Sequence, residues 1–430
     1  MAYQETTTTS YGQRLSNSFK GIATGFIMII VGTVLLWWNE GRAVKTTKAL
    51  KEAEKVSVHV DDVSQLNPEL EGQLIHATAK ALTEDYLSDP TFGVGEVAIK
   101  VSRKVEYYQW KENKSEQTRD KVGGGQETIT TYTYSKGWVS SPIQSGSFKE
   151  AGHDNFTLMT IEDQTQVAQN VSFGAYRLPS YLINRISDSK PLDVNADPEL
   201  LKKMDQDLCK MMNVVPAQTA DQTQEMTYLH VDKNVIYLGT NPRVPAIGDV
   251  KITFTKVLPG EVSIISKVYG DTFQEYTAKN GNKVSSLAMG AVGMEEMYAT
   301  EHANNAMLTW LLRVVGILLV IRGLKNIFEI IVTLLKVLPF LASIANLGVG
   351  LVCSVLGFVW SLIIILLAWL FYRPLLAIGL LVVVVALVWF LVKKGKEAEA
   401  AKAATPAPAP APAPAPVEEA VKEDTTEKVE

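Results

Sequence analysis

Five histidines hold most of the chemistry open to this sequence: His59, His76, His153, His230 and His302. None sits in an HExxH pattern or beside a Cys or His at ligand spacing, so no metal site is expected. His302 follows Glu295, Glu296 and Glu301 on a predicted helix and reads as part of a solvated face. Gly152-His153-Asp154-Asn155 is the best polar cluster in the middle of the chain. A His beside an Asp can pass a proton. The same four residues also describe a turn closed by Asp and Asn side chains, the reading taken here. There is no GxSxG, Walker or GxGxxG pattern, and Gly123-Gly124-Gly125 lacks the Lys-Ser/Thr of a phosphate loop. Two cysteines, Cys209 and Cys353, are too few for a disulfide framework. The sequence therefore predicts no catalytic residue, no cofactor and no enzymatic activity.

The elements explain this scarcity, because much of the chain is built for lipid. Residues 21–38 carry no charge, and at about 1.5 Å per residue they form a helix of about 27 Å, near the thickness of bilayer hydrocarbon. Trp37 and Trp38 end the run, where amphipathic rings prefer the lipid–water interface, and Arg42 follows. The run is longer than a signal-peptide core and the Trp pair is a poor cleavage context, so it reads as a retained anchor over residues 19–40. Gly21 and Gly25 form a GxxxG, and Gly32 lies near the same face, a surface on which a second helix can approach closely. Residues 42–56 lack Gly and Pro and should continue the helix out of the membrane. Residues 1–18 are polar, without apolar periodicity, and are expected to be disordered.

From about His59 to Gly290 the period changes to two. Val97, Ile99 and Val101 alternate with polar or small neighbours, as do Val250, Ile252 and Phe254, and Val262 and Ile264. Such runs read as half-buried strands. Gly123-Gly124-Gly125 and Asn280-Gly281 mark turns. Tyr107, Tyr108, Trp110, Tyr132, Tyr134 and Trp138 fall on two predicted strands and read as cross-strand packing. Residues 66–82, 198–212 and 292–307 read as helices. Residues 41–302 are thus one large strand-rich α+β domain. Asn113, Asn155 and Asn170 begin N-x-S/T sequons.

Apolar residues return at 303–322, where Arg313 is expected to snorkel to the interface. Residues 323–340 set Lys325, Glu329 and Lys336, with Arg322, on one helical stripe at spacings of three and four. This reads as an amphipathic interfacial helix, with an ion path or a charged seam between copies as the sharper alternatives. Residues 345–370 form an uncharged third span. Arg373 marks an interface before a fourth span at 374–392. Residues 397–430 are a Pro-Ala and acidic tail, expected to be disordered.

The 430 residues carry a net charge of −5, which gives no basic balance for nucleic acid. With both termini inside, the short inside segments hold most of the Lys and Arg, as the positive-inside rule requires. The expected architecture is an α+β membrane protein with one N-terminal and three C-terminal transmembrane helices flanking a large strand-rich extramembrane domain.

Several local runs resemble one family. Residues 37–46 read WWNEGRAVKT, 105–110 VEYYQW, 132–138 YTYSKGW, 147–155 SFKEAGHDN, 237–250 YLGTNPRVPAIGDV and 369–374 WLFYRP. In this order, and with four spans, they resemble the LUMA family of membrane proteins. The resemblance implies a lumenal or periplasmic β-rich domain, oligomerisation through the membrane part and a structural role. Eukaryotic members sit in the endoplasmic reticulum and inner nuclear membrane and bind envelope proteins including emerin and lamins. The Pro-Ala tail and compact loops look bacterial, which points to a cytoplasmic membrane with the large domain periplasmic. The expected function is a non-enzymatic scaffold that contacts the lipid bilayer, further copies of itself and other membrane or envelope proteins. The alternatives are a channel or transporter component and a membrane-anchored binding module.

Overall fold

A computed structural model describes residues 3–214, 226–337 and 339–375, with isolated positions at 378, 379, 382, 389 and 393. The chain divides into two units, Met1–Ala368 and Trp369–Glu430. In chain order the elements that matter here are strand β1 (Tyr3–Thr9), helix α1 (Tyr11–Val56), β2 (Val58–Val60), β3 (Leu74–Leu82), β4 (Lys100–Asp120) and β5 (Gln126–Val139). They are followed by α2 (Pro198–Met211), β6 (Leu229–Asp232), β7 (Val235–Leu238), β8 (Val250–Val257), β9 (Gly260–Tyr269), β10 (Ser286–Met289), α3 (Met294–Leu335) and α4 (Pro339–Tyr372).

Helix α1 starts where Ser10 Oγ accepts from Gln13 N, and it runs unbroken because no proline interrupts it. At Ser57 the backbone turns extended and enters β2. Helices α1, α3 and α4 are each long and apolar enough to cross a bilayer. The protein is thus a mixed α+β chain with one N-terminal and two C-terminal apolar helices and a large strand-rich domain. The predicted fourth span lies largely outside the described residues, and the tail at 397–430 lies wholly outside them.

Two sheets build the domain. The first has the order β1-β5-β4-β8-β7-β6. In the second, β9 pairs with β10 and β3, β3 pairs with the parallel strand β2, and three short strands close a circuit back to β9. The core forms where the alternating apolar faces meet. Ile99, just before β4, and Val101, Val105 and Tyr107 of β4 pack with Val250, Ile252 and Phe254 of β8, and with Val262 and Ile264 of β9. Phe92 meets Phe254 edge-on at 5.8 Å between ring centres. The aromatic group falls on β4 and β5 as expected, with Tyr108 opposite Trp138 and their rings 5.2 Å apart. Asn280-Gly281 does turn a short hairpin, with Gly281 at φ +83°.

Three expectations need correction. Residues 1–18 are ordered: β1 pairs antiparallel with β5, from Tyr3 opposite Tyr132 to Thr9 opposite Gln126, and α1 begins at Tyr11. The threonine run is β-branched and found a distant strand to pair with, which composition does not reveal. Residues 66–82 are not a helix but a short 3-10 turn, Pro68–Leu70, followed by β3. Ala and Leu favour helix there, yet β2 and β9 flank the segment and satisfy it as a buried strand. Residues 323–340 are not a separate interfacial helix. Helix α3 passes through Arg322 and Gly323 without a break and ends at Leu335.

Candidate functional site in the helix pair

Helices α1 and α3 lie antiparallel, and glycine lets them touch backbone to backbone. A Cβ added to Gly25 would stand 2.6 Å from the Gly323 carbonyl, and one added to Gly323 would stand 2.7 Å from the Gly25 carbonyl. At Gly32 the Gly316 carbonyl is 3.0 Å away, while at Gly21 the nearest atom is the Asn326 carbonyl at 3.6 Å. Gly25 and Gly32 therefore define the seam, and Gly21 sits at its margin. The buried positions of α1 recur every seven residues as Ser18, Gly25, Gly32 and Asn39, and Thr309, Gly316 and Gly323 answer from α3. A seven-residue repeat keeps one seam facing its partner over a long distance. Helix α4 joins through Gly357, where a Cβ would meet Ile321 at 2.7 Å, and through Trp360 Nε1, which donates to Thr33 Oγ1 at 3.0 Å.

At the domain end the seam turns polar. Asn39 Nδ2 donates to the Thr309 carbonyl at 2.9 Å. Arg42 donates to Asn305 Oδ1 at 3.0 Å and to Thr309 Oγ1 at 2.9 Å. Asn305 Nδ2 returns a bond to the Ala43 carbonyl at 3.1 Å. Beside them Arg313 grips Glu40 with both arms, Nε to Oε1 at 2.6 Å and Nη2 to Oε2 at 2.9 Å. Glu40 is completely buried. Arg313 therefore does not snorkel to the interface: a fully enclosed carboxylate draws it inward. Trp38 is exposed and Trp37 half-buried beside this network, while Arg42 is turned into α3.

The far end is polar too. Ser18 Oγ and Thr333 Oγ1 are 2.9 Å apart, and Arg14 pairs with Asp120 at 2.7 Å. Of the charged stripe, Lys336 Nζ pairs with Glu329 Oε1 at 2.8 Å and Arg322 is exposed. A cavity of about 430 Å³ opens among Arg14, Ser18, Asn326, Glu329, Thr333 and Lys336. A second, of about 800 Å³, lies among Arg322, Lys325, Asn326, Glu329 and, on α4, Asn346 and Ser354. Asn326 and Glu329 line both. The stripe thus lines two polar openings at this end of the helices. Arg373, just past the end of α4 in the second unit, is half-buried.

Residues 107–374 match the family profile described as Transmembrane protein 43. The chain belongs to the transmembrane protein 43 (LUMA) family. It is 31% identical to transmembrane protein 43 of Homo sapiens over 400 residues, covering 89% of this chain and 91% of the relative. The Rattus norvegicus protein is 30% identical, over 85% of this chain and 88% of the relative. The Drosophila melanogaster homolog is 28% identical, over 85% and 93%. No solved structure matches. The LUMA resemblance read from WWNEGR and the later runs holds, and the protein is an integral membrane protein with several candidate spans.

In this member of the transmembrane protein 43 family four of the five histidines fall into three settings, and the fifth, His302, is half-buried on α3. His153 stacks on Tyr134 at 3.9 Å and meets the Trp110 edge at 4.6 Å, so it packs as an aromatic ring. The neighbouring Asn155 clamps β4, accepting from Trp110 N at 2.8 Å and donating to its carbonyl at 3.0 Å. That occupies the amide a glycan would need. His230 Nε2 lies 2.9 Å from the Gly239 carbonyl. His59 and His76 form a pair that no sequence pattern marked. Parallel pairing of β2 with β3 sets them side by side, with Nδ1 atoms 2.8 Å apart. His76 Nε2 faces the Val292 carbonyl at 2.9 Å, and His59 Nε2 faces Asp61 at 3.0 Å. Carbonyl and carboxylate oxygens only accept, so both Nε2 atoms must donate. Burial and the neighbouring His59 hold the His76 pKa below its ordinary value, although its bond to Val292 opposes them. Among the described residues, no group of three His, Cys, Asp or Glu is placed to hold a metal ion.

Proposed function

We propose that this chain is a non-enzymatic membrane scaffold that oligomerises and organises membrane structure or membrane protein complexes. The observation that carries this reading is the continuity of helix into domain. Ala49, Leu50 and Ala53 of α1 and Met297 and Tyr298 of α3 belong to one buried cluster with Leu74 and Ile265 of the sheets. The domain is thus seated on the helix pair, and the Gly seam and polar network fix the pair in turn. Such a unit holds a large surface at a set height and angle to a membrane. Phe26, Ile27, Ile30 and Val34 of α1, and Trp310, Leu311, Val314 and Leu318 of α3, are exposed apolar side chains available to lipid or to a further copy. The reading includes a bacterial cytoplasmic membrane, a periplasmic domain, and other membrane or envelope proteins as partners.

The test is the mass of the full-length protein in nanodiscs. A defined oligomer is expected, stable on dilution. A strictly monomeric particle overturns the assembly part of the reading.

A further inference from the structure

The first sheet sends out a ribbon of three strands. Strand β4 pairs with β8 only as far as Tyr107, then continues with β5 to Asp120, and β1 lies along the other side of β5. Asn155 holds the root of this ribbon at Trp110, on the domain. The tip is pinned at the opposite end of the helices. Asp120 meets Arg14, Arg14 Nη1 donates to the Gly124 carbonyl at 3.0 Å, and Gly123 N donates to the Val337 carbonyl at 3.2 Å. Arg14 and Glu40 are about 39 Å apart along α1, and residues 111–120 span about 34 Å of strand. The ribbon therefore runs the length of the apolar helices.

Beyond Trp110, strand β4 of the ribbon carries charged and polar side chains on both faces. One face carries Glu112, Lys114 and Glu116, and the other carries Lys111, Gln117 and Arg119. Among the described residues, the outer edge of β4 beyond Trp110 has no strand partner, and neither has the outer edge of β1. Unpaired strand edges are not tolerated against hydrocarbon, and charged side chains at that depth face water or protein.

We infer that these two edges pair between copies, β4 of one copy against β1 of the next. Both strands run antiparallel to β5, so they point the same way. Thr6 and Gln117 stand opposite the same residue, Ile129, so the edges match in height. A copy rotated about an axis along the ribbon presents its β1 to the neighbouring β4 as a parallel pair. The two edges differ, so the contact is head-to-tail and closes into a ring. The ring turns the polar ribbons inward and leaves the apolar helix faces to lipid. This inference rests on the scaffold reading and adds the interface to it.

Cysteine pairs test it in the full-length protein in nanodiscs. Within one chain Thr6 and Gln117 are two strands apart, about 10 Å, beyond the roughly 7 Å limit between Cα atoms for a disulfide. A bond between Thr6→Cys and Gln117→Cys can therefore form only between copies. Thr6→Cys with Ser115→Cys, and with Arg119→Cys, covers a shift of register on the same face. Cys209 and Cys353 are buried and do not compete. Oxidation of at least one pair should give a covalent ladder extending above the dimer, while the single variants stop at dimer or monomer. If all three pairs stay uncrosslinked in particles of oligomeric mass, the ribbon interface is wrong and the scaffold reading stands. Ladders from single variants also overturn the interface. A monomeric mass removes both.

Discussion

Glu40 and Arg313 are the residues whose loss should be felt most in the membrane part. Their bond is bidentate and the carboxylate is fully enclosed, so removing one partner takes a buried two-bond ion pair from the other. Breaking such a pair costs about 3–5 kcal/mol, whereas replacing both partners by apolar residues is often nearly neutral. Arg313→Met should therefore lower the unfolding midpoint in detergent sharply, and adding Glu40→Leu should restore most of it. A double variant as unstable as the sum of the two singles would show that the pair is not the relevant unit. The histidine pair makes a second prediction, about pH. The folded-state pKa of His76 lies below its ordinary value of 6.5, so the unfolded chain takes up its proton first on acidification. The stability it contributes is complete above 6.5 and is lost as pH falls from there through the depressed folded value. Melting temperature should fall over this interval in the parent and flatten in His76→Phe. An unchanged slope in that variant would assign the effect elsewhere. None of these four residues could be paired by reading the chain. Glu40 meets Arg313, and His59 meets His76, through helix packing and parallel register, which leave no local trace in sequence.

At the scale of elements, legibility followed how local the cause was. The apolar spans could be read because a charge-free run is itself the physical requirement for crossing lipid. The strands of the domain could be read where one face is buried, as at Val250, Ile252 and Phe254. Leu74–Leu82 could not, because strands on both sides bury it and its Ala and Leu residues carry a helical signal. The glycines show the same limit. Gly21, Gly25 and Gly32 were visible as small residues, but the seam follows a seven-residue repeat with Ser18 and Asn39 that has meaning only beside α3. This separates the glycines experimentally. Gly25→Ala and Gly323→Ala each place a Cβ under 3 Å from a carbonyl and should weaken the pair, seen as a lower unfolding midpoint in detergent. Gly21→Ala meets its nearest atom at ordinary contact distance and should be neutral, or gain up to about 1 kcal/mol from helix propensity. Equal losses at all three positions would mean that the close approach is not what the glycines serve.

At the scale of the molecule, each long helix is asked to satisfy two partners at once. Helix α1 meets α3 at Gly25, Gly32 and Asn39, and farther along the same helix Ala49, Leu50 and Ala53 enter the domain core. Both contacts are set by rotation about one axis, and α3 repeats the arrangement with Gly323, Gly316, Met297 and Tyr298. The domain and the membrane helices should therefore unfold together. One alanine inserted after Lys45 turns the two halves of α1 relative to each other by about 100° and moves them about 1.5 Å apart. Seam and domain core can then no longer both be satisfied, since Glu40 leaves Arg313 whenever Leu50 keeps its place. In the parent, tryptophan fluorescence and helix content should be lost in one transition. In the insertion variant the helical part should melt first and the domain later, because the domain keeps its own sheets and core. A single unchanged transition after the insertion would mean that α1 bends freely between its two contacts, and the rigid seating of the domain would fall with it.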